Sequence, residues 1–275
     1  MWKKNQKGPS GNCFFKNGQT KYTGQWKKDC YSSQGCIYYK SGRKKYEGNL
    51  KDDFKEGYGK LYFNKATNSV KYDGHFHEDE YNGYGILYFG TGRIEYKGEW
   101  KDGFKNGYGQ VYYGNGKLCY DGYWKDDCYD GQGTFYDYTA NDYERMYDGE
   151  GEMIQNDAIA FDTYKSYEGH WEADCYHGFG IEYNENSTKA YEGKFKDYER
   201  HGQGTSYNEM GNKEYCGFWK NGEYHGKGEL FDIHTGKKVF EGEFVKNKKN
   251  GNFVIYIDSY KLKSVWDNGK LKSIK

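Results

Sequence analysis

The chain has 275 residues, among them 33 Tyr, 40 Gly and one Pro, while six Ala and seven Leu are too few for a helical bundle. Mean hydropathy is −1.20, but an aromatic content of 20% exceeds what disordered chains carry, so a folded chain with an aromatic core is expected. Lys+Arg and Asp+Glu are 41 each, without the basic excess of a nucleic-acid binder, and no apolar run approaches the ~20 residues of a membrane-spanning helix.

In chain order, Met1–Lys7 lacks the apolar stretch of a secretory signal. Trp2, Gly11 and Phe14 then stand at offsets that the rest of the chain repeats, so the first unit (2–21) is half a repeat. An aromatic-x-Gly tripeptide recurs at Tyr22, Tyr46, Tyr72, Tyr96, Tyr120, Tyr147, Tyr167, Tyr191, Tyr215 and Phe240. Four residues later comes a bulky residue, as at Trp26, Leu50, Phe76, Trp100, Trp124, Trp171, Phe195, Trp219 and Phe244. Nine residues further lies a Gly, with Phe253 the exception, and twelve residues after the bulky residue an aromatic such as Tyr38, Tyr62 or Tyr88.

Tyr-x-Gly-x-Trp is strict alternation, the period of a strand with one buried face. A turn-like Lys-Asp/Asn segment follows, and a second strand starts at Gly-x-Gly. Each unit is therefore expected to be a β-hairpin, with strand Gly making room for a neighbouring ring. Stacked hairpins give an all-β fold: an elongated, single-layer, twisted antiparallel sheet, a solenoid-like rod rising ~10 Å per unit. Helix is expected only as a turn or two at the termini or around residues 137–146. One array over 1–275 is expected: regular repeats 22–146, a degenerate repeat 147–166, regular repeats 167–239 and a terminal repeat 240–275.

The segment Tyr96-Lys97-Gly98-Glu99-Trp100-Lys101-Asp102-Gly103-Phe104-Lys105-Asn106-Gly107-Tyr108-Gly109 resembles the MORN repeat (membrane occupation and recognition nexus), and the resemblance runs from Trp2 to about Trp266. It implies a structural scaffold that joins partner proteins in a large cytoskeletal assembly. Proteins resembling it build cytoskeletal structures, notably ciliary axonemes, where MORN proteins occur in radial spoke heads, and this implies a cytoplasmic or cytoskeletal, ciliary location. It also implies an alternative, peripheral binding to acidic phospholipids, for which the two ends are basic: residues 1–30 hold seven Lys against Asp29, and residues 240–275 eight Lys against four acids.

Two breaks single out candidate sites. In repeats 1–5 the neighbours of the recurrent Tyr are apolar (Ile37, Tyr39, Leu61, Phe63, Leu87, Phe89, Val111, Tyr113), whereas in later repeats they become Glu182, Asn184, Ser206 and Asn208. The early half thus reads as apolar on both faces, and the extra stripe calls for a partner or a second copy of the chain to cover it. Alternatively a bulge at the Gly-x-Gly lets one set fold into the core, and which set faces inward is left open by the alternation. In the degenerate unit Gly151 replaces the bulky residue, and Asn156-Asp157 reads as the turn of a tight hairpin. Residues 142–185 hold twelve acids against Arg145 and Lys165, and Asp142, Glu144, Asp148, Glu150, Glu152, Asp157 and Asp162 form a candidate acidic patch.

No catalytic constellation emerges. His177, His201 and His225 share one repeat position ~10 Å apart, too far to share a zinc ion. Cys30, Cys128 and Cys175 are likewise too far apart to pair, and the seven Cys contain no CxxC, so free thiols are expected. Gly83-Tyr84-Gly85 and Gly107-Tyr108-Gly109 lack the Lys-Ser/Thr of a phosphate loop. The expectation is no enzyme, no cofactor, no metal and no nucleic acid.

Overall fold

The computed structural model describes residues 10–67, 69–139 and 162–275. Those residues form 21 strands and no helix, so the chain is all-β. Residues 140–146, the opening up to Pro9 and the degenerate unit through Phe161 lie outside the described residues. Contacts divide the chain into two compact units, one ending at Cys128 and the other beginning at Tyr129.

The first unit contains β1 (Ser10–Phe14), β2 (Thr20–Lys27), β3 (Cys30–Tyr38), β4 (Lys44–Lys51), β5 (Phe54–Tyr62), β6 (Val70–His77), β7 (Glu80–Tyr88), β8 (Ile94–Lys101), β9 (Phe104–Tyr112) and β10 (Leu118–Lys125). The second contains β11 (Cys128–Tyr138, its first residue aside), β12 (Thr163–Glu172), β13 (Cys175–Tyr183), β14 (Lys189–Lys196), β15 (Glu199–Tyr207), β16 (Lys213–Lys220), β17 (Glu223–Phe231), β18 (Lys238–Val245), β19 (Lys248–Ile257), β20 (Tyr260–Asp267) and β21 (Lys270–Ile274). Within each unit every strand pairs antiparallel with the next, as in β4 with β5 and β13 with β14.

Two-residue turns close the hairpins. Asp52 and Asp53 both have positive φ (50° and 75°), as do Asp126 and Asp127 (50° and 69°). Paired positive φ values are those of the type I′ turn, whose twist matches the strands and which Asp, Asn and Gly tolerate best. The second Asp also reaches the preceding repeat. Asp53, Asp79 and Asp127 accept the backbone N–H of Tyr31, Lys55 and Lys105 at 2.7, 3.0 and 2.8 Å. Asp174 does the same for Tyr129 in the second unit, at 2.7 Å. Each turn is thereby clasped to the hairpin before it.

The core is a row of tyrosines together with the bulky residues four positions on, such as Phe76, Trp100 and Trp219. Tyr22, Tyr46, Tyr72, Tyr96, Tyr120, Tyr167, Tyr191 and Tyr215 are 0% exposed. Each ring lies back along its own strand: the ladder shifts register between Gly48 and Leu50, and the Asn49 carbonyl there accepts the Tyr46 hydroxyl at 2.7 Å. Tyr96 likewise reaches the Glu99 carbonyl at 2.8 Å, and Tyr191 that of Lys194 at 3.0 Å. The ring then covers two facing glycines, and a Cβ on Gly59 would overlap the Tyr46 phenol. This close approach is why the repeat needs Gly on both strands. In the last repeat Phe240 has no hydroxyl, and the ring of Phe253 takes the space above Gly242.

Candidate interaction faces

The face carrying the buried tyrosines is called inner here. Its rings are closed over by the residue nine positions further on, and that residue alternates. Tyr31, Tyr81, Tyr176 and Tyr224 stack on Tyr22, Tyr72, Tyr167 and Tyr215 with centroids 3.8, 3.8, 3.7 and 3.9 Å apart. In the intervening repeats a cation takes the place of the ring. Lys55, Lys105, Arg200 and Lys249 stand 6.0, 5.5, 4.7 and 3.1 Å from the rings of Tyr46, Tyr96, Tyr191 and Phe240. Each cation also faces the next bulky ring, as Lys105 does Trp124 at 4.7 Å and Arg200 does Trp219 at 5.4 Å. The inner face therefore has a period of two repeats.

Burial governs the charges on this face. It pushes the Tyr22 and Tyr81 hydroxyls up to about 12 and those of Tyr46, Tyr72, Tyr96, Tyr167, Tyr191 and Tyr215 further still. Burial also pushes the Asp79 carboxyl up, but the Lys55 ammonium at 2.6 Å and the Lys55 N–H outweigh it and hold Asp79 below the usual range. Arg200 is held by Glu182 at 2.8 Å. Burial lowers the Lys249 ammonium, which lies between Phe240 and Trp266.

The candidate partner-binding residues fall on this same face. Ile37, Leu61, Leu87 and Val111 sit directly across from Tyr22, Tyr46, Tyr72 and Tyr96, and directly opposed residues share a face. They are half-buried rather than exposed. The recurrent Tyr38, Tyr62, Tyr88 and Tyr112 turn to the other side. The apolar set thus shares the side of the buried rings, while a second row of tyrosines lines the other side of the first half. The reason is a bulge. Lys21, Lys45 and Lys71 are extra residues opposite the register shifts at Cys13/Phe14, Ile37/Tyr38 and Leu61/Tyr62, and a one-residue slip exchanges faces.

Tyr39, Phe63, Phe89 and Tyr113 open the loops between hairpins and are also half-buried. Their N–H groups bond across the loop, Tyr39 to Arg43 and Phe89 to Arg93. The Tyr39 hydroxyl donates to the Tyr62 carbonyl of the next repeat at 2.8 Å. In the second unit the same positions are Asn184 and Asn208. Asn208 donates to the Ile233 carbonyl at 2.8 Å.

On the outer face, Lys44 pairs with Glu47 at 2.8 Å, and Glu47 accepts the Tyr62 hydroxyl at 3.1 Å. The same trio recurs as Lys165, Glu168 and Tyr183, and as Lys238, Glu241 and Tyr256. Of the acidic patch only Asp162 is described, exposed ahead of β12. Asp142, Glu144, Asp148, Glu150, Glu152 and Asp157 lie outside the described residues. No group of three or more His, Cys, Asp or Glu among the described residues is placed to hold a metal ion. His177 instead lies 3.4 Å from Glu172.

The family model for the MORN repeat matches residues 46–65, 72–92, 96–117, 120–139, 167–189, 191–213, 215–231 and 240–252. No curated protein matches the chain. Among solved structures, one titled "Crystal Structure of TcdB2-TccC3" is similar at 10% identity and a TM-score of 0.21. That similarity covers 95% of this chain and 14% of the other chain's length, and it carries no argument about function.

Proposed function

The chain belongs to the MORN-repeat family, and on that premise we propose that it is a non-catalytic scaffold whose first unit holds partner proteins within a large cytoskeletal assembly. MORN repeats are generally non-enzymatic modules of protein or membrane interaction. The observation that supports the protein-binding reading is the loop edge of the first unit. Tyr39, Phe63, Phe89 and Tyr113 line it at repeat spacing, beside the half-buried Ile37, Leu61, Leu87 and Val111. At ~25 cal/mol per Å², covering even ~500 Å² of that surface offers ~12 kcal/mol before association costs. The ciliary axoneme is the assembly proposed, with a radial-spoke-like role, on the strength of the resemblance. The test is affinity purification from the native source with the wild type and with Phe63→Asn plus Phe89→Asn, which copy Asn184 and Asn208. Loss of co-purifying chains by a folded variant supports the reading, and an unchanged set overturns it.

A second reading, contact with acidic membranes, has its own observation. The paired strands β20 and β21 carry Lys261, Lys263, Lys270 and Lys272 together with the exposed Tyr260, Val265, Leu271 and Ile274. Clustered Lys beside exposed apolar residues suits an anionic lipid surface. Salt-sensitive pelleting with phosphatidylserine vesicles would favour it, and absence of pelleting would favour the scaffold.

A further inference from the structure

On the outer face of the first unit, Tyr58, Tyr84 and Tyr108 stand at the middle of successive Gly-x-Gly segments, on β5, β7 and β9. They are 48%, 57% and 45% exposed, and Tyr123 on β10 is 51% exposed. Glycines flank each of the first three, so the rings rise from a floor without neighbouring Cβ atoms along the strand. The strands between them supply the floor of each gap. His75 is paired with Tyr58, its ring edge-on at 5.8 Å, and Glu99 is paired with Tyr84.

The gap at Glu99 is acidic. Its carboxylate lies over Gly107, whose φ of 91° and lack of a Cβ leave it room. Among the described residues it enters no ion pair, and Lys97, two residues before it on β8, is turned to the Tyr112 ring at 5.5 Å. Asp73 and Asp121 add carboxylates beside Tyr58 and Tyr108, whose hydroxyls they accept. Only Asp73 is matched by a lysine, Lys60 at 2.9 Å. A cation entering between Tyr84 and Tyr108 would meet the Glu99 carboxylate with an exposed tyrosine on either side.

The spacing of the rings adds a length. They recur every second strand, ~9.6 Å apart at the usual strand separation. A polyproline II helix turns every three residues and advances ~9.3 Å per turn, and such helices dock on aromatic-lined grooves. We propose that the outer face of β5–β10 docks a proline-rich, polyproline II segment of a partner protein, with prolines between the tyrosine rings and a basic side chain on Glu99. A helix would present a broader surface than this single row of rings. The second unit has no such row: Gln132, Gln203 and Lys227 occupy the position, where Phe179 is the one aromatic, and Phe218 is exposed at the position equivalent to Tyr123. The proposal concerns the face opposite the apolar set and does not depend on it.

The test uses the full chain titrated with a synthetic Pro-Pro-x peptide carrying one Arg, followed by calorimetry. Saturable binding is expected, weakened about tenfold by Tyr84→Gln, which copies Gln203 and should leave the circular dichroism unchanged. Glu99→Gln should lower affinity for the Arg peptide, yet leave that for its Arg→Gln counterpart unaltered. Absence of saturable binding overturns the proposal, as does binding that survives Tyr84→Gln. Equal binding of a peptide with Ala in place of Pro also overturns it, and would point to an ordinary extended basic segment. Phe63→Asn plus Phe89→Asn should not affect this titration, which separates it from the inner-face reading.

Discussion

In the first unit the loops open on Phe15, Tyr39, Phe63, Phe89 and Tyr113, and the outer row of rings is Tyr58, Tyr84 and Tyr108. In the second unit the loops open on Asn184, Asn208 and Asp232, and the outer row is broken by Gln203 and Lys227. Beneath these surfaces the two units are built alike. Tyr96 and Tyr191 are equally buried, each bonded to a carbonyl three residues on and capped by a basic side chain. The tyrosine over paired glycines thus serves the fold, and whatever varies at constant core is available for binding. The second unit shows that the hairpin stacks without an aromatic loop edge: Asn208 and Asn212 tie their loop to the Ile233 carbonyl at 2.8 and 3.0 Å instead.

If the core is shared, alkali should dissolve both units in the same pH range. Unfolded tyrosine ionises near 10, whereas burial raises the folded value at Tyr22, Tyr46, Tyr72 and Tyr96 in one unit and at Tyr167, Tyr191 and Tyr215 in the other. Above about pH 10 the unfolded chain therefore binds fewer protons than the folded one, and stability falls as pH rises. Below about pH 10 these groups cause no pH dependence. Hydrogen exchange followed through that range would refute a common core if one unit lost protection well before the other.

Next in size are the tryptophans. Trp100 donates to the Gly85 carbonyl at 3.3 Å and Trp219 to that of Gly204 at 3.2 Å, both almost fully buried. Trp100→Ala and Trp219→Ala should each cost about 3–5 kcal/mol. Because repeats couple to their neighbours, exchange protection should drop first in the repeats around each site. Uniform loss along the chain would contradict a stack of hairpins.

Leu61→Ser and Leu87→Ser copy Ser206, which is buried in the second unit opposite Tyr191. They remove half-buried surface beside Tyr46 and Tyr72 and should cost about 1–2 kcal/mol each. The loop-edge changes Phe63→Asn and Phe89→Asn should cost less and act on partner binding. Denaturant melts of the two pairs, compared with partner recovery, sort the set into core support and contact. If the leucine pair proved neutral for stability, their packing against the tyrosine row would be of no consequence.

The hairpins, their buried Tyr-x-Gly-x-Trp face and the reason for glycine were legible in the sequence, because alternation and spacing are local. The facing of Ile37, Leu61, Leu87 and Val111 was not, since it depends on bulge residues such as Lys45 and Lys71 that slip the register between strands. The alternating caps were visible in principle: nine residues after the repeat tyrosine the chain reads Tyr31, Lys55, Tyr81, Lys105, and later Tyr176, Arg200, Tyr224, Lys249. Reduction of the units to one consensus averages that two-repeat period away. The exposed row Tyr58, Tyr84, Tyr108 was likewise present within the Gly-x-Gly segments, but nothing local says that the middle residue points outward.

The caps give the finest comparison. Arg200 in the second unit bonds Glu182 at 2.8 Å as well as facing Tyr191 and Trp219, so Arg200→Met leaves a half-buried carboxylate without its cation. That variant should cost about 1–2 kcal/mol, most of it from Glu182. Arg200→Met combined with Glu182→Leu, which copies Leu61 at the equivalent position, should recover most of the loss. Lys105 in the first unit contacts Tyr96 and Trp124 through its ammonium, and the residue at the position equivalent to Glu182 is Leu87. Lys105→Met keeps the apolar stem over the ring and forfeits only the cation–ring attraction, about 0.5–1 kcal/mol. Equal costs at the two sites in denaturant melts would mean that the rings, and not the acid, decide what a basic cap is worth.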